Sequence, residues 1–261
     1  VSTQPTDPQD GFSVGASSAD RVPAARQRVD AHAAHRGGAQ RWVPWVKVTV
    51  FMLALLPLLR LVVSGMTDRL GANPVEFITR STGTWTLVLL CVTLAITPVR
   101  RLPGLAWLLR FRRMLGLFAF FYAALHFTTY FWLDQWFDWT SIARDVTGKR
   151  PFITMGFAAF VLMVPLALTS PHAMVRRLGR HRWQRLHRAI YAIAVLAILH
   201  YWWMKAGKHD FAEPAIYAIV VACLLGARVL WALRRQRVQT PAGSSRSPAN
   251  SDSIVSRSRT R

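Results

Sequence analysis

Residues 182–204 read RWQRLHRAIYAIAVLAILHYWWM: basic at the start, free of charge through 189–199, and closed by Tyr201, Trp202 and Trp203. A helix rises 1.5 Å per residue, so roughly 20 apolar residues cross a hydrocarbon core of about 30 Å. Arginines at one end and interfacial aromatics at the other give such a segment a direction, from the cytoplasmic side outward. Within it stand two histidines, His187 and His200. An ionisable side chain is costly in hydrocarbon and is a functional candidate by default.

The same test applied along the chain finds six spans, near 46–63, 83–99, 114–133, 152–170, 187–204 and 214–233. Arg60 and Arg228 interrupt the first and the last, and Lys47 and Arg60 lie near enough to the ends of the first to snorkel. The expected fold class is therefore all-α, an integral membrane bundle of six transmembrane helices. This resolves an apparent conflict between a 52% hydrophobic composition and a formal net charge of +21. Arg100, Arg101, Arg110, Arg112 and Arg113 fill one loop without an acid, Arg176, Arg177, Arg180, Arg182 and Arg185 fill another, and Arg234, Arg235 and Arg237 follow the last span. The opposite loops mix signs, with Asp68, Arg69, Glu76 and Arg80 in one and Asp134, Asp138, Arg144, Asp145, Lys149 and Arg150 in the other. The positive-inside rule then puts the arginine loops and both termini in the cytoplasm. The charge is a topology signal, and a nucleic-acid partner is not expected.

Residues 1–44 and 236–261 are polar and rich in Ser, Ala, Gly and Arg, and are expected to be disordered cytoplasmic tails around a membrane domain at 45–235. The first forty residues contain no apolar core of a signal peptide. Cys91 and Cys223 both sit in apolar blocks, where a thiol reads as a small packing residue, and no C-x-x-C-H motif for covalent haem is present.

Depth separates the histidines. His32, His35, His172, His181 and His209 fall in tails or loops, which leaves His126, His187 and His200. His126 lies 13 residues past Arg113 and His200 lies 12 past Arg188, on helices of the same direction. Both are thus about 18–20 Å from the cytoplasmic ends of their spans. Two imidazoles at matched depth can grip one planar cofactor, as the two axial ligands of haem iron do. The bland alternative is a histidine that hydrogen-bonds a neighbouring helix. His187, 13 residues before His200, lies about 140° around an ideal helix from it, so one helix serves two levels only if it is locally irregular. Opposite His187 stand Arg112, Arg113 and Met114 with no histidine. A second, inner haem would have His187 as its one evident ligand, with the arginines as partners for its propionates. Zinc fits poorly, because the three histidines are spread and no Cys or carboxylate joins them.

FRRMLGLFAFFYAALHFTTY from Phe111, RPFITMGFAAF from Arg150, LALTSPHAMVRRLG from Leu166 and RWQRLHRAIYAIAVLAILHYWW from Arg182 together resemble the haem-binding MsrQ (formerly YedZ) family, within the ferric-reductase-like transmembrane superfamily. The similarity covers about 46–235. It implies a b-type cytochrome of the bacterial inner membrane that takes electrons from the quinone pool or a flavin reductase. It also implies a heterodimer with the periplasmic molybdopterin-containing reductase MsrP, which repairs oxidised methionines. The family's haem ligands match His126, His187 and His200. The wider superfamily usually carries two histidines on each of two helices, whereas this chain has one on the third span, so the haem count is one or two. Family members are also described as binding FMN, for which no residue here is diagnostic.

Three alternatives remain at this stage. A membrane cytochrome b anchor of another oxidoreductase would look the same. A ferric reductase or NADPH oxidase would need a separate flavin subunit, since no G-x-G-x-x-G occurs. A haem-free proton-coupled transporter would use the histidines as a relay.

Overall fold

The structure, a computed structural model, describes residues 42–207 and 209–239. The expected tails lie outside the described residues, save that 43–44 and 236–239 are helical. All regular structure among the described residues is helical. We number the helices α1 (Val43–Met66), α2 (Pro74–Val99), α3 (Leu109–Thr128), α4 (Trp139–Arg144), α5 (Pro151–Leu168), α6 (His172–Leu178), α7 (Arg180–His187), α8 (Ala189–Ala206) and α9 (Ala212–Gln239). Six segments are long and apolar enough to cross a membrane: Val43–Met66, Pro74–Val99, Ala106–Asp134, Pro151–Leu168, Arg180–Ala206 and Ala212–Arg234. They match the six spans read from the sequence.

The chain divides into two compact units, Val1–Leu56 and Pro57–Arg261. In the first, the described part is the leading stretch of α1, with apolar side chains such as Met52 and Leu53 exposed, as befits a lipid-facing surface. The second holds the other spans. There α2 packs along α3 and α5 along α8, α3 also meets α5, and α9 lies against both α8 and α2. The five form a ring in which α3 and α8 stand across from each other.

Local chemistry sets the helix ends. Asn73 caps α2 by accepting from the Glu76 N–H at 3.1 Å, Pro74 takes the first turn, and Glu76 pairs with Arg80 at 2.7 Å. Span two therefore starts nine residues before the expected position 83, and Glu76 and Arg80 belong to the helix rather than the loop. Gly179, at φ 75°, separates α6 from α7. Beyond Thr128 the third span continues to Asp134 as a π-helical segment.

Packing faces follow the helical repeat. Phe111, Leu115, Phe118, Tyr122 and Thr129 are buried along one stripe of the third span, and His126 continues the same stripe. On α8 the fully buried Ile193 is seven residues, two turns, before His200. Both histidines therefore project into the ring. Arg228, which breaks the apolar run of span six, also points inward and donates to the Leu94 carbonyl of α2. That carbonyl needs an outside donor because Pro98, four residues on, has no N–H.

Candidate functional site

The site is built where α3 and α8 face each other. His126 and His200 come together with ring centroids 6.0 Å apart and planes at 80°. Two imidazoles sharing one metal, with bonds of about 2 Å and roughly 1 Å more from nitrogen to ring centre, would place their centres about 6 Å apart. The depth match counted from the sequence thus corresponds to a real juxtaposition.

Each ring is fixed by a backbone carbonyl of a flanking helix. His126 Nδ1 lies 2.9 Å from the Thr79 carbonyl oxygen on α2, and His200 Nδ1 lies 2.6 Å from that of Phe152 on α5. A carbonyl only accepts, so Nδ1 carries the proton in both rings and the lone pair is on Nε2. This is the arrangement of a metal-bound histidine, whose distal N–H is tied down so that the other nitrogen is oriented and more basic. Two facing imidazole nitrogens suit a metal whose other ligands come from elsewhere, as a porphyrin supplies them. The donor set therefore fits haem.

Aromatic side chains wall this level. Phe160 stacks between Phe120, at 5.9 Å, and Phe127, at 4.6 Å. Phe127 in turn stacks on Phe131 at 5.9 Å, and Phe131 meets Trp139 edge-on at 4.9 Å. The column leads to the exposed Trp139, and Phe152 lies 6.3 Å from the His200 ring.

The inner level is different. The helix is interrupted at Arg188, where the Arg188 N–H bonds to Arg185 and the Tyr191 N–H to Arg188. The irregularity falls between His187 and His200. His187 stacks on Trp183, with centroids 3.9 Å apart, and its Nδ1 is 3.1 Å from the Trp183 carbonyl oxygen. Trp183 is itself held by its indole N–H, which donates to the Thr169 carbonyl at 2.9 Å. Arg112 lies within charge-interaction range of His187 and of Tyr191, whereas Arg113 is exposed on another face of α3. His187 thus feels the charge of Arg112, whereas Arg113 is exposed.

Comparison with known proteins gives the family. Residues 82–198 match the model of the ferric reductase like transmembrane component. The haem-binding subunit MsrQ of protein-methionine-sulfoxide reductase from Ralstonia nicotianae is 64% identical over 198 residues, which cover 76% of this chain and 91% of that protein. The chain belongs to the MsrQ family. MsrQ of Herminiimonas arsenicoxydans is 61% identical over 77% of this chain and 92% of its own length, and that of Bordetella pertussis 59% over 73% and 92%. No solved structure matches.

Several residues of this arrangement were not singled out in the sequence. Thr79 and Phe152 act through main-chain oxygens, which any residue carries, so their identities give no signal. Thr79 also fell outside the expected span two. The Asn73-Pro74-x-Glu76 start signal was there to recover it. Trp183, placed one helical turn before His187, had a usable signal in that spacing.

Proposed function

We propose that this chain is a b-type cytochrome subunit of the bacterial inner membrane. It passes electrons from the quinone pool, or from a cytoplasmic flavin reductase, to a periplasmic molybdopterin-containing methionine sulfoxide reductase, the MsrP partner of a heterodimer. The relatives compared above carry the name of the haem-binding subunit of a protein-methionine-sulfoxide reductase, which supports the partner class. In this reading residues 45–235 form the haem domain, both termini are cytoplasmic, and the aromatic outer end of α8 faces the periplasm.

The observation that carries the proposal is the His126–His200 pair, 6.0 Å between ring centres with each Nδ1 on a carbonyl oxygen. These two residues would hold haem b through their Nε2 atoms. When bound, the haem supplies reversible one-electron chemistry, and two nitrogen ligands leave no position for oxygen. Thr79 and Phe152 hold the imidazoles in one tautomer. His187 is the proposed ligand at an inner level, with Arg112 and Arg113 as propionate partners and Arg112 the better placed. The basic inner loops would receive the phosphate of FMN.

Electron delivery tests the proposal. Purified protein is placed in vesicles, reduced, and mixed with purified periplasmic reductase and methionine sulfoxide. The account expects the reduced haem bands to decay only when reductase and sulfoxide are both present. Bands that persist with both present would refute the assigned acceptor.

A further inference from the structure

Gly83 on α2 and Gly156 on α5 occupy equivalent places around the paired rings. A Cβ on Gly83 would lie 3.0 Å from His126 Cε1 and 3.1 Å from its Nδ1. A Cβ on Gly156 would lie 2.7 Å from His200 Nδ1, 2.9 Å from Cε1 and 3.3 Å from Cγ. In each case the carbonyl that takes the imidazole Nδ1–H belongs to the residue four positions earlier on the same helix: Thr79 for Gly83, Phe152 for Gly156. That is also the carbonyl which the glycine's own N–H reaches in the helical ladder. A ring that shares a carbonyl already engaged inside a helix must lie flat against the backbone just there. Any side chain on the residue one turn on would hold it off.

Two other glycines of the spans set the contrast. At Gly116 a Cβ would meet only Thr93 Cγ2 at 3.7 Å, and at Gly226 nothing within 4 Å. Glycine inside a helix is unfavourable relative to alanine, so two glycines placed where alanine would strike the two facing histidines have a reason beyond helix packing.

We propose that Gly83 and Gly156 are matched positioning residues. Each opens a backbone cradle in which a carbonyl fixes the tautomer and plane of one axial imidazole. The inference rests on the haem reading above and adds what sets the electronic character of its ligands. With the cradle intact, the Nδ1–H bond makes Nε2 more basic and favours oxidised iron. With a methyl group in the cradle, the ring is pushed off the carbonyl and this preference weakens. The geometry also predicts an order. Gly156→Ala, with the closer approach and the shorter hydrogen bond, perturbs its ring more than Gly83→Ala.

The test compares purified wild type with Gly83→Ala, Gly156→Ala and the control Gly226→Ala. Readouts are haem content, the low-spin resonance signature of the oxidised protein, a redox titration and far-ultraviolet circular dichroism. Loss of such an outer partner typically costs 10- to 100-fold in metal binding, and a tenfold loss confined to the oxidised state raises a one-electron potential by about 59 mV. The expected result is a haem-loaded wild type and control with identical signatures. Gly83→Ala shifts upward in potential with altered resonance positions, and Gly156→Ala shifts further or loses haem. Should Gly156→Ala lose its helical dichroism, Gly83→Ala decides alone, since its Cβ asks the ring to move only a few tenths of an ångström. A loaded wild type with both cradle variants indistinguishable from the control overturns the cradle and leaves the haem reading standing. A wild type purified without haem overturns both.

Discussion

The contact that Arg228 makes with the Leu94 carbonyl stabilises the bundle in proportion to what Pro98 has taken away. Within α2 the Leu94 carbonyl would ordinarily accept from residue 98, but proline has no N–H to give, and the Arg228 guanidinium donates instead from α9. Arg228 also reaches the Leu224 carbonyl of its own helix at 3.3 Å and lies over the Tyr191 ring at 5.4 Å. A single substitution would mix several opposing effects, since removing a charge from hydrocarbon relieves a desolvation cost of several kcal/mol. A double-mutant cycle of Arg228→Met with Pro98→Ala isolates the contact, because the desolvation effect is common to both backgrounds. In the Pro98→Ala background the restored N–H caps Leu94, so losing the guanidinium there costs less. A hydrogen bond with a charged partner is worth about 1.5–3 kcal/mol, and couplings between helices in bilayers average about 0.6 and reach about 1.7 kcal/mol. The expected coupling is at the upper end of that range, about 1–1.7 kcal/mol. Unfolding of the four variants in mixed detergent micelles, followed by circular dichroism, measures it. A coupling within about 0.3 kcal/mol of zero would refute the capping argument.

Three further outcomes are expected. His126→Ala and His200→Ala each abolish the main haem absorption, whereas His187→Ala leaves it present but reduced or altered, read by pyridine haemochrome on purified variants. Trp183→Phe keeps the stacking on His187 and removes the donor to Thr169, costing about 1 kcal/mol of thermal stability without loss of the His126–His200 signal. At the α4 cap, hydrogen bonds from the Thr140 and Ser141 side chains hold the Asp138 carboxyl well below the usual carboxylate range. Since the folded-state pKa is depressed, the cap's contribution is complete above the unfolded value of about 3.9, shrinks below it, and is lost as pH falls through the depressed folded value. Amide exchange at Thr140 and Ser141 should rise in that acid window, and Asp138→Ala should show the same fast exchange at neutral pH.

What could be read from the sequence follows from where the chemistry resides. Hydropathy and arginine placement identify the six helices because lipid imposes length and charge rules on side chains. His126 and His200 could be paired because helical rise turns a residue count into a depth. The inner level was legible in part. His187 stood out as an ionisable group, but the break at Arg188 that separates it from His200 depends on main-chain hydrogen bonds that no side chain signals. The early start of α2 was hidden by Thr79, Arg80, Ser81 and Thr82, which lower local hydropathy although Thr82 is buried and bonds back to the Ile78 carbonyl. Arg228 looked like a defect in span six. Its role depends on a proline-orphaned carbonyl 134 positions away, a relation that only the packed helices reveal. The carbonyls of Thr79 and Phe152 leave no trace in residue identity, and the glycine one turn beyond each is their only sequence signature.

The reduced-minus-oxidised spectrum of the freshly purified chain, with pyridine haemochrome and iron quantified on the same sample, bears most directly on the account. A b-type spectrum with at least one low-spin, doubly imidazole-ligated iron per chain is the predicted result. A folded, helical and monodisperse preparation that is colourless and free of iron would contradict it.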